Sequence, residues 1–235
     1  MSVANARFTY TRILVGGSAA GLAIAAALVG CSSSGGSGSA AAKPTVSSLV
    51  DTMRSDFQHA KSLRIAGHLE QDGRQVALDL RMRRSGDFQG NVLMSGANIQ
   101  VLRSGANTYA FVTKSFFRYL QATKNVPAAA CSVICGKYVK IPPGAIANVS
   151  LNNLTGQITK NVTKPKVHVQ VTATNFAGQP AYQVSHSGES AYFAKNGHHY
   201  LIGFRSAKQN AAMTFSQWNS VPPISPPPPS KIVRG

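Results

Sequence analysis

Three cysteines are the residues of this 235-residue chain whose type and spacing could do chemistry. Cys31 stands alone after an apolar run, whereas Cys131 and Cys135 enclose three residues in CSVIC. A cysteine thiolate is a nucleophile that can be alkylated, oxidised to a disulfide or bound to a metal. Cys31 therefore has three candidate roles: a lipid attachment point, a buried structural residue or a disulfide partner.

The residues before Cys31 have the pattern of an export signal. Arg7 and Arg12 precede ILVGGSAAGLAIAAALVG, an apolar run of about 18 residues that ends in small side chains. An uncleaved membrane anchor is the alternative, because this length is near the lower limit for spanning a bilayer. The run is rich in Gly and Ala rather than Leu and Ile, which makes it a weak span.

LVGC at the end of this run resembles the bacterial lipobox, with Leu28 three residues before Cys31 and Gly30 directly before it. The resemblance implies that Cys31 receives a diacylglyceryl thioether and acyl chains such as palmitate, and becomes the new N-terminus after cleavage. Two acyl chains anchor a protein stably where one does not. We predict a lipoprotein signal peptide over residues 1–30 and lipidation at Cys31. Lipidation at Cys31 would place the protein on the outer face of the cytoplasmic membrane. We expect no cofactor beyond the covalent lipid.

Cys131 and Cys135 then remain as a pair. Export favours a disulfide between them, and their spacing permits one in a tight loop. A redox or metal pair is the rival interpretation. The usual redox motif has two intervening residues rather than three, and no further cysteine or nearby histidine completes a metal site. We predict a structural disulfide and no metal site.

The composition is strongly basic, with 24 Lys and Arg against 7 Asp and Glu and a net charge of +17. No block of five or six basic residues and no nucleic-acid-binding motif is present, so a nucleic-acid partner is not expected. RMRRSGDF is the only hint of one, and its Arg81 and Arg83 take outward strand positions. A dispersed positive surface suits anionic lipid headgroups or acidic wall polymers. Catalytic motifs and paired carboxylates are missing, so the chain is not expected to be an enzyme, and its histidines are assigned to surface and turns.

The order of segments along the chain predicts one tethered domain. Residues 31–43, with SSSGGSGSAAAK, form a flexible tether whose r.m.s. reach is about 20 Å. The folded domain is expected over residues 44–220. Residues 221–235 are rich in proline and favour polyproline II, which cannot join a sheet. We expect this tail to be disordered and solvated rather than a motif for a partner.

The domain begins with one helix and continues with strands. PTVSSLVDTMRSDFQHAKS places its apolar residues on one helical face (Val46, Leu49, Val50, Met53, Phe57 and Ala60). The period then changes to two in RQVALDLRMRRSG, and turns rich in Gly, Asn and Ser separate further strands. A less regular middle, with a short helix around residues 145–154, divides two meanders. About ten strands result, which predicts an α+β fold.

This order of elements resembles the LppX/LprG group of mycobacterial cell-envelope lipoproteins, which share a fold with the carrier LolA. The likeness rests on SLRIAGHL, SGANTYAFVTKSFFRYL, FAGQPAYQV, NGHHYLIGF and MTFSQWN, over about residues 44–220. It implies a strongly curved antiparallel half-barrel wrapped over one to three helices. It also implies an apolar cavity that carries acylated glycolipids or related lipids. CSVICGKY and the proline-rich tail have no counterpart in this pattern.

The predicted function is that of a membrane-anchored lipoprotein that binds a lipid or lipoglycan and helps to carry it across the envelope, with a membrane transporter as a partner. The alternative is an adaptor that docks on anionic wall polymer or a membrane protein complex. Strand alternation supplies the cavity candidates, each of which could equally be ordinary core. They are Val76, Leu78, Leu80, Met82, Val92, Met94, Ile99, Val101, Tyr109 and Phe111.

Overall fold

A computed structural model describes residues 13–14, 23–25, 43–71, 73–142, 146–147, 150–161, 163–166 and 169–233. The helices are α1 (Val46–His59), α2 (Lys114–Lys124), the one-turn α3 (Cys131–Ile134) and α4 (Leu151–Asn161). Short 3-10 turns cover Ala128–Ala130 and Pro229–Lys231. Within the described ranges, no helix is both long and apolar enough to cross a membrane.

Fifteen strands lie within the described residues. In chain order they are β1 (Ile13–Leu14), β2 (Ala23–Ala25), β3 (Ser62–Gln71), β4 (Arg74–Arg83), β5 (Phe88–Met94), β6 (Ala97–Ser104), β7 (Asn107–Phe111), β8 (Tyr138–Ile141), β9 (Ile146–Ala147), β10 (Thr163–Lys166), β11 (Val171–Phe176), β12 (Gln179–His186), β13 (Glu189–Ala194), β14 (Leu201–Ser206) and β15 (Ala211–Ser216).

Eleven of these strands form one open antiparallel sheet. Its order is β11-β12-β13-β14-β15-β3-β4-β5-β6-β7-β8, so two meanders join where β15 pairs with β3. The predicted α+β class with a large antiparallel sheet is thus confirmed. Two short parallel pairs, β1 with β9 and β2 with β10, lie outside this sheet.

Helix α1 forms where its sequence pattern predicts. Thr45 caps it, because its side chain accepts a hydrogen bond from the Ser48 N–H at 3.1 Å. The residues of its predicted apolar stripe, together with Ala60 just beyond its last turn, are all buried (Val46, Leu49, Val50, Met53, Phe57 and Ala60). This stripe packs against one face of the sheet, which we call the inner face. Burial of this face stabilises the helix far more than its intrinsic propensity does.

Two glycines on the inner face lie very close to the backbone of neighbouring strands. Gly67 has a φ of +150° and Gly90 a φ of +156°. A Cβ at Gly67 would collide with the carbonyl oxygen of Ala212, and one at Gly90 would collide with that of Asp79. Glycine inside a strand permits such a close approach of neighbouring backbone. Both positions also leave the inner face without a side chain.

The outer face of the central strands carries the predicted polar residues. Arg64 Nε and Nη2 donate to the two carboxylate oxygens of Asp79 at 2.8 and 2.7 Å. This bidentate bond holds the pKa of Asp79 below its usual value. Arg81 donates to the Gln217 side chain at 3.4 Å, and Arg83 donates to the carbonyl of Val221. Both outward guanidiniums therefore contact the chain after the last strand.

The proline-rich tail differs from its prediction. Residues 221–233 run across the outer face, where Val221, Ile224 and Pro227 are buried. Ser104 Oγ donates to the Ile224 carbonyl at 3.2 Å, and Ile232 forms a parallel bridge with Tyr138 in β8. A polyproline segment cannot supply a full ladder of donors, but its non-proline residues reach the sheet at intervals. The described part of the tail is thus packed rather than solvated.

Two helices also differ from the order of elements expected from the sequence. The segment SFFRYL forms most of α2 rather than a strand, and Thr113 caps this helix through the Phe116 N–H at 3.1 Å. The middle helix α4 begins at Leu151 and ends at Asn161, later than the predicted range. Phe116, Phe117 and Leu120 pack inward at helical spacing, so tertiary burial decides for a helix over a strand here.

Candidate functional site

Most of the cavity candidates lie on the inner face, as their alternation predicts. Register places Leu80 opposite Ile65, and Val92 opposite both Leu78 and Ile99. These side chains share one apolar cluster with α1 and with Leu151 of α4. The inner-face candidates are Val76, Leu78, Leu80, Met82, Val92, Met94, Ile99 and Val101.

Tyr109 and Phe111 are the exceptions, because they lie on the outer face. Ala110, between them, faces inward opposite Val101. Tyr109 packs with Leu102 and with Ile224 of the tail. The Phe111 ring lies 5.0 Å from that of Tyr138. Their assignment to an inner cavity is therefore wrong, since the tail buries this part of the outer face.

The inner face is not equally covered along the strands. At the end of the sheet beside the β13–β14 loop (residues 195–200), its side chains are almost fully enclosed, including those of Leu63, Phe88 and Phe193. At the opposite end, which carries the β5–β6 turn and α2, several are only partly buried. We call four of these side chains, which lie across β4, β5, β14 and β15, the access band: Leu78, Met94, Phe204 and Met213. Their inner-face neighbours Val76 and Ile99 are buried.

Gly67 lies within the access band. It stands between Leu78 in β4 and Met213 in β15, and Met213 in turn lies opposite Phe204. Because Gly67 has no side chain, β3 contributes no apolar side chain between Leu78 and Met213. Tyr119 and Leu120 of α2 are also partly buried against the same core. The inner face thus presents partly buried apolar side chains at its α2 end.

The enclosed end is held by polar contacts on the last turn of α1. Phe57 is fully buried, and its ring lies 4.9 Å from that of Trp218 and 6.1 Å from that of Phe215. Arg84, after β4, donates to the carbonyls of Phe57 and Ala60 and to Asn152 of α4. Burial lowers the pKa of this guanidinium. One arginine therefore joins the sheet to both helices.

A second polar contact joins α1 to the β13–β14 loop. His198 Nε2 donates to Asp56 Oδ1 at 2.6 Å, and the Asp56 side chain is only 9% exposed. Burial raises the pKa of Asp56, and the hydrogen bond from His198 opposes this shift. The sequence alone predicts only a surface or turn position for His198. The two residues are too far apart in the chain for spacing to pair them.

The predicted disulfide between Cys131 and Cys135 is present, with their Cα atoms 4.8 Å apart. It closes the turn after α2, and both cysteines pack with Val112, Phe117 and Val126. Cys31, with the rest of residues 31–42 of the tether, lies outside the described residues, and of the predicted signal peptide only residues 13–14 and 23–25 are described. Among all the described residues, no group of three or more His, Cys, Asp or Glu could hold a metal.

Among known proteins, this chain is similar to several solved structures. No protein-family model matches the chain, and no curated protein does either. LprF from Mycobacterium bovis matches with a TM-score of 0.50 at 11% identity, over 76% of this chain and 95% of LprF. The domain has the fold of LprF. The LprF-like fold is the one that the lipoprotein resemblance implies, although so low an identity shows the fold alone.

Two further solved structures match with lower scores. An uncharacterized conserved protein from Thermus thermophilus has a TM-score of 0.34 at 10% identity, over 80% of this chain and 97% of that one. LolA superfamily protein NE2245 from Nitrosomonas europaea has a TM-score of 0.26 at 8% identity, over 74% of this chain and 92% of NE2245. We draw the fold assignment from LprF.

Proposed function

We propose that the protein is a cell-envelope lipoprotein that binds the acyl chains of a lipid or lipoglycan between its sheet and helices, and helps to carry it across the envelope. The observation that carries this proposal is the access band beside Gly67. A soluble domain usually completes the burial of its inner apolar face. Here Leu78, Met94, Phe204 and Met213 stay partly exposed at one end, where acyl chains could complete their burial.

The binding would be apolar and non-catalytic. The inner face offers hydrocarbon side chains, and burial of apolar area contributes about 25 cal/mol per Å². The close backbone approaches at Gly67 and Gly90 support a half-barrel curvature, since glycine allows a strongly twisted sheet to curl. In this proposal the sheet curls around the acyl chains, and α1 with α4 forms the opposite wall.

Anchoring follows from the leader and the tether. The lipobox resemblance at Cys31 supports lipidation there, and a Gly/Ser tether would keep the domain close to the outer face of the cytoplasmic membrane. A membrane transporter is the partner that such a carrier would serve. The protein would need no cofactor beyond its own lipid.

Native mass spectrometry of the purified domain tests this proposal. We expect lipid adducts that survive in the wild-type domain and are released on denaturation. Leu78→Trp places a bulky ring in the access band and should reduce the bound lipid. Leu93→Trp, on the outer face of the neighbouring strand, is the matched control and should retain it. Circular dichroism of both variants separates loss of lipid from loss of fold.

A domain that is lipid-free under all conditions, with Leu78→Trp folded and unchanged, would contradict the carrier. Such a result would favour the adaptor alternative, in which the basic surface docks on anionic wall polymer. Binding of that polymer should then weaken steeply with salt, because screening shortens the range of charge interactions to about 8 Å at physiological ionic strength.

A further inference from the structure

The disulfide-bridged turn presents apolar side chains to solvent. Val133 is 54% exposed, and Pro127, Ala128 and Ala129 beside it are exposed as well. Leu93, at 47%, is the other large apolar side chain with this degree of exposure among the described residues. Exposed apolar side chains concentrated at one end of a domain mark a surface for a protein or a membrane.

This turn is preformed. The Cys135 N–H donates to the Cys131 carbonyl at 3.0 Å, inside the loop that the disulfide closes. On its inner side, Ile134 packs against the cluster around Phe117. Gly136 and Lys137 exchange backbone hydrogen bonds with Val112, both at 2.9 Å. Because the turn is already ordered, contact through Val133 would lose little conformational entropy.

The turn lies in a stretch of the sequence whose charged side chains are all Lys or Arg, although Glu70 and Glu189 of other strands stand at the same end of the sheet. All seven acidic residues lie outside residues 88–188 (Asp51, Asp56, Glu70, Asp72, Asp79, Asp87 and Glu189). Lys114 and Arg118 are both exposed and four residues apart in α2, where like charges repel. Lys114 is also the first residue of the helix, where positive charge is unfavourable. An anionic partner would relieve both repulsions.

Hydrogen bonds place this surface at the α2 end of the sheet. Leu93 pairs with Asn98, whose carbonyl accepts a hydrogen bond from Thr113 Oγ1 at 2.9 Å. Thr113 caps α2, and Val112 before it is bonded to the disulfide-bridged turn. Val133, Leu93 and the access band therefore belong to the same end of the molecule.

We propose that this end docks directly on an anionic lipid bilayer. The disulfide-bridged turn enters the interfacial region of the bilayer through Val133, while Lys114, Arg118 and Lys137 contact lipid phosphates. Apolar tips beside basic side chains fit a bilayer interface, which offers both hydrocarbon and negative charge. A soluble anionic polymer would leave Val133 in water. Docking on the bilayer goes beyond binding of the lipid cargo. Either of these two activities could be absent while the other is present.

Tryptophan quenching in nanodiscs tests the docking. The full chain is reconstituted through its own N-terminal anchor into discs of phosphatidylcholine with brominated acyl chains, with or without phosphatidylglycerol. Val133→Trp adds one reporter to the single native Trp218, which donates to the Leu201 carbonyl inside the domain. Asn196→Trp, in the exposed β13–β14 loop at the opposite end, is the matched control.

We expect the added fluorescence of Val133→Trp to be quenched in the anionic discs, and that of Asn196→Trp to persist. Lys114→Glu with Arg118→Glu should abolish the quenching, as should high salt. Equal quenching at the two positions, or no dependence on phosphatidylglycerol, overturns the proposal. Hydrogen exchange of the wild-type chain gives a second measurement: slower exchange over residues 127–137 only in anionic discs supports docking. Protection by soluble anionic wall polymer instead of the bilayer overturns it.

Discussion

His198 in the β13–β14 loop donates a hydrogen bond to the buried carboxylate of Asp56 in α1, with a distance of 2.6 Å between Nε2 and Oδ1. The second carboxylate oxygen of Asp56 is buried and has no hydrogen-bond partner among the described residues. His198 is 51% exposed and rests against the Tyr200 ring, 4.3 Å away. This contact joins the helix to the enclosed end of the sheet, so it helps to set how α1 covers the inner face.

Removal of the imidazole should destabilise the domain. In His198→Ala the Asp56 carboxylate loses the imidazole donor while it stays buried, which we expect to lower the free energy of unfolding by about 1 kcal/mol. Urea unfolding at neutral pH measures this change. Asn196→Ala, in the same loop, should have no effect. Equal stability of His198→Ala and wild type would mean that water replaces the imidazole.

The charge of Asp56 should make stability depend on pH in a defined direction. Because burial raises its pKa above 3.8, ionisation of Asp56 opposes folding, and this unfavourable contribution grows as the pH rises through the folded pKa. Asp56→Asn keeps an oxygen acceptor for His198 but cannot ionise. Relative to wild type, we expect this variant to gain stability from acid to neutral pH, as measured by urea unfolding across that range. A constant difference would contradict the assigned burial effect.

The disulfide should contribute to stability through the short loop that it closes. Replacement of Cys131 and Cys135 together by Ser is expected to lower the free energy of unfolding by about 2 kcal/mol, the chain-entropy value for so small a loop. Thermal unfolding with and without reductant provides the measurement. Reductant should destabilise the wild type and leave the double variant unchanged. An identical response of the two proteins would rule out this contribution.

The tail should stabilise the sheet from its outer face. Ile224 is buried against Leu102 and Tyr109, so Ile224→Ala should lower the free energy of unfolding by about 2 kcal/mol. Ser225→Ala, at the exposed neighbouring position, is the control and should be neutral. Lipid retention should not change in either variant, since neither residue reaches the inner face. A solvated tail would instead give two variants of equal stability.

Elements whose burial pattern is local could be predicted from the sequence. The stripe from Val46 to Phe57 recurs at helical spacing, so its inward face follows from the geometry of one helix. Val76, Leu80 and Met82 lie on one side of β4, and charged residues lie on the other side. The alternation therefore predicts which side of β4 faces the core. The disulfide could also be predicted, because Cys131 and Cys135 are close enough in the chain to meet whatever the rest of the fold does.

Features that join distant segments depend on the tertiary structure. In β7 the larger apolar residues, Tyr109 and Phe111, face outward, because the tail supplies a second apolar layer there through Ile224. Alternation cannot distinguish inner from outer when both faces are covered. His198 and Asp56 are 142 residues apart, and no local spacing pairs them. The access band likewise combines residues of β4, β5, β14 and β15, which meet only because β15 pairs with β3.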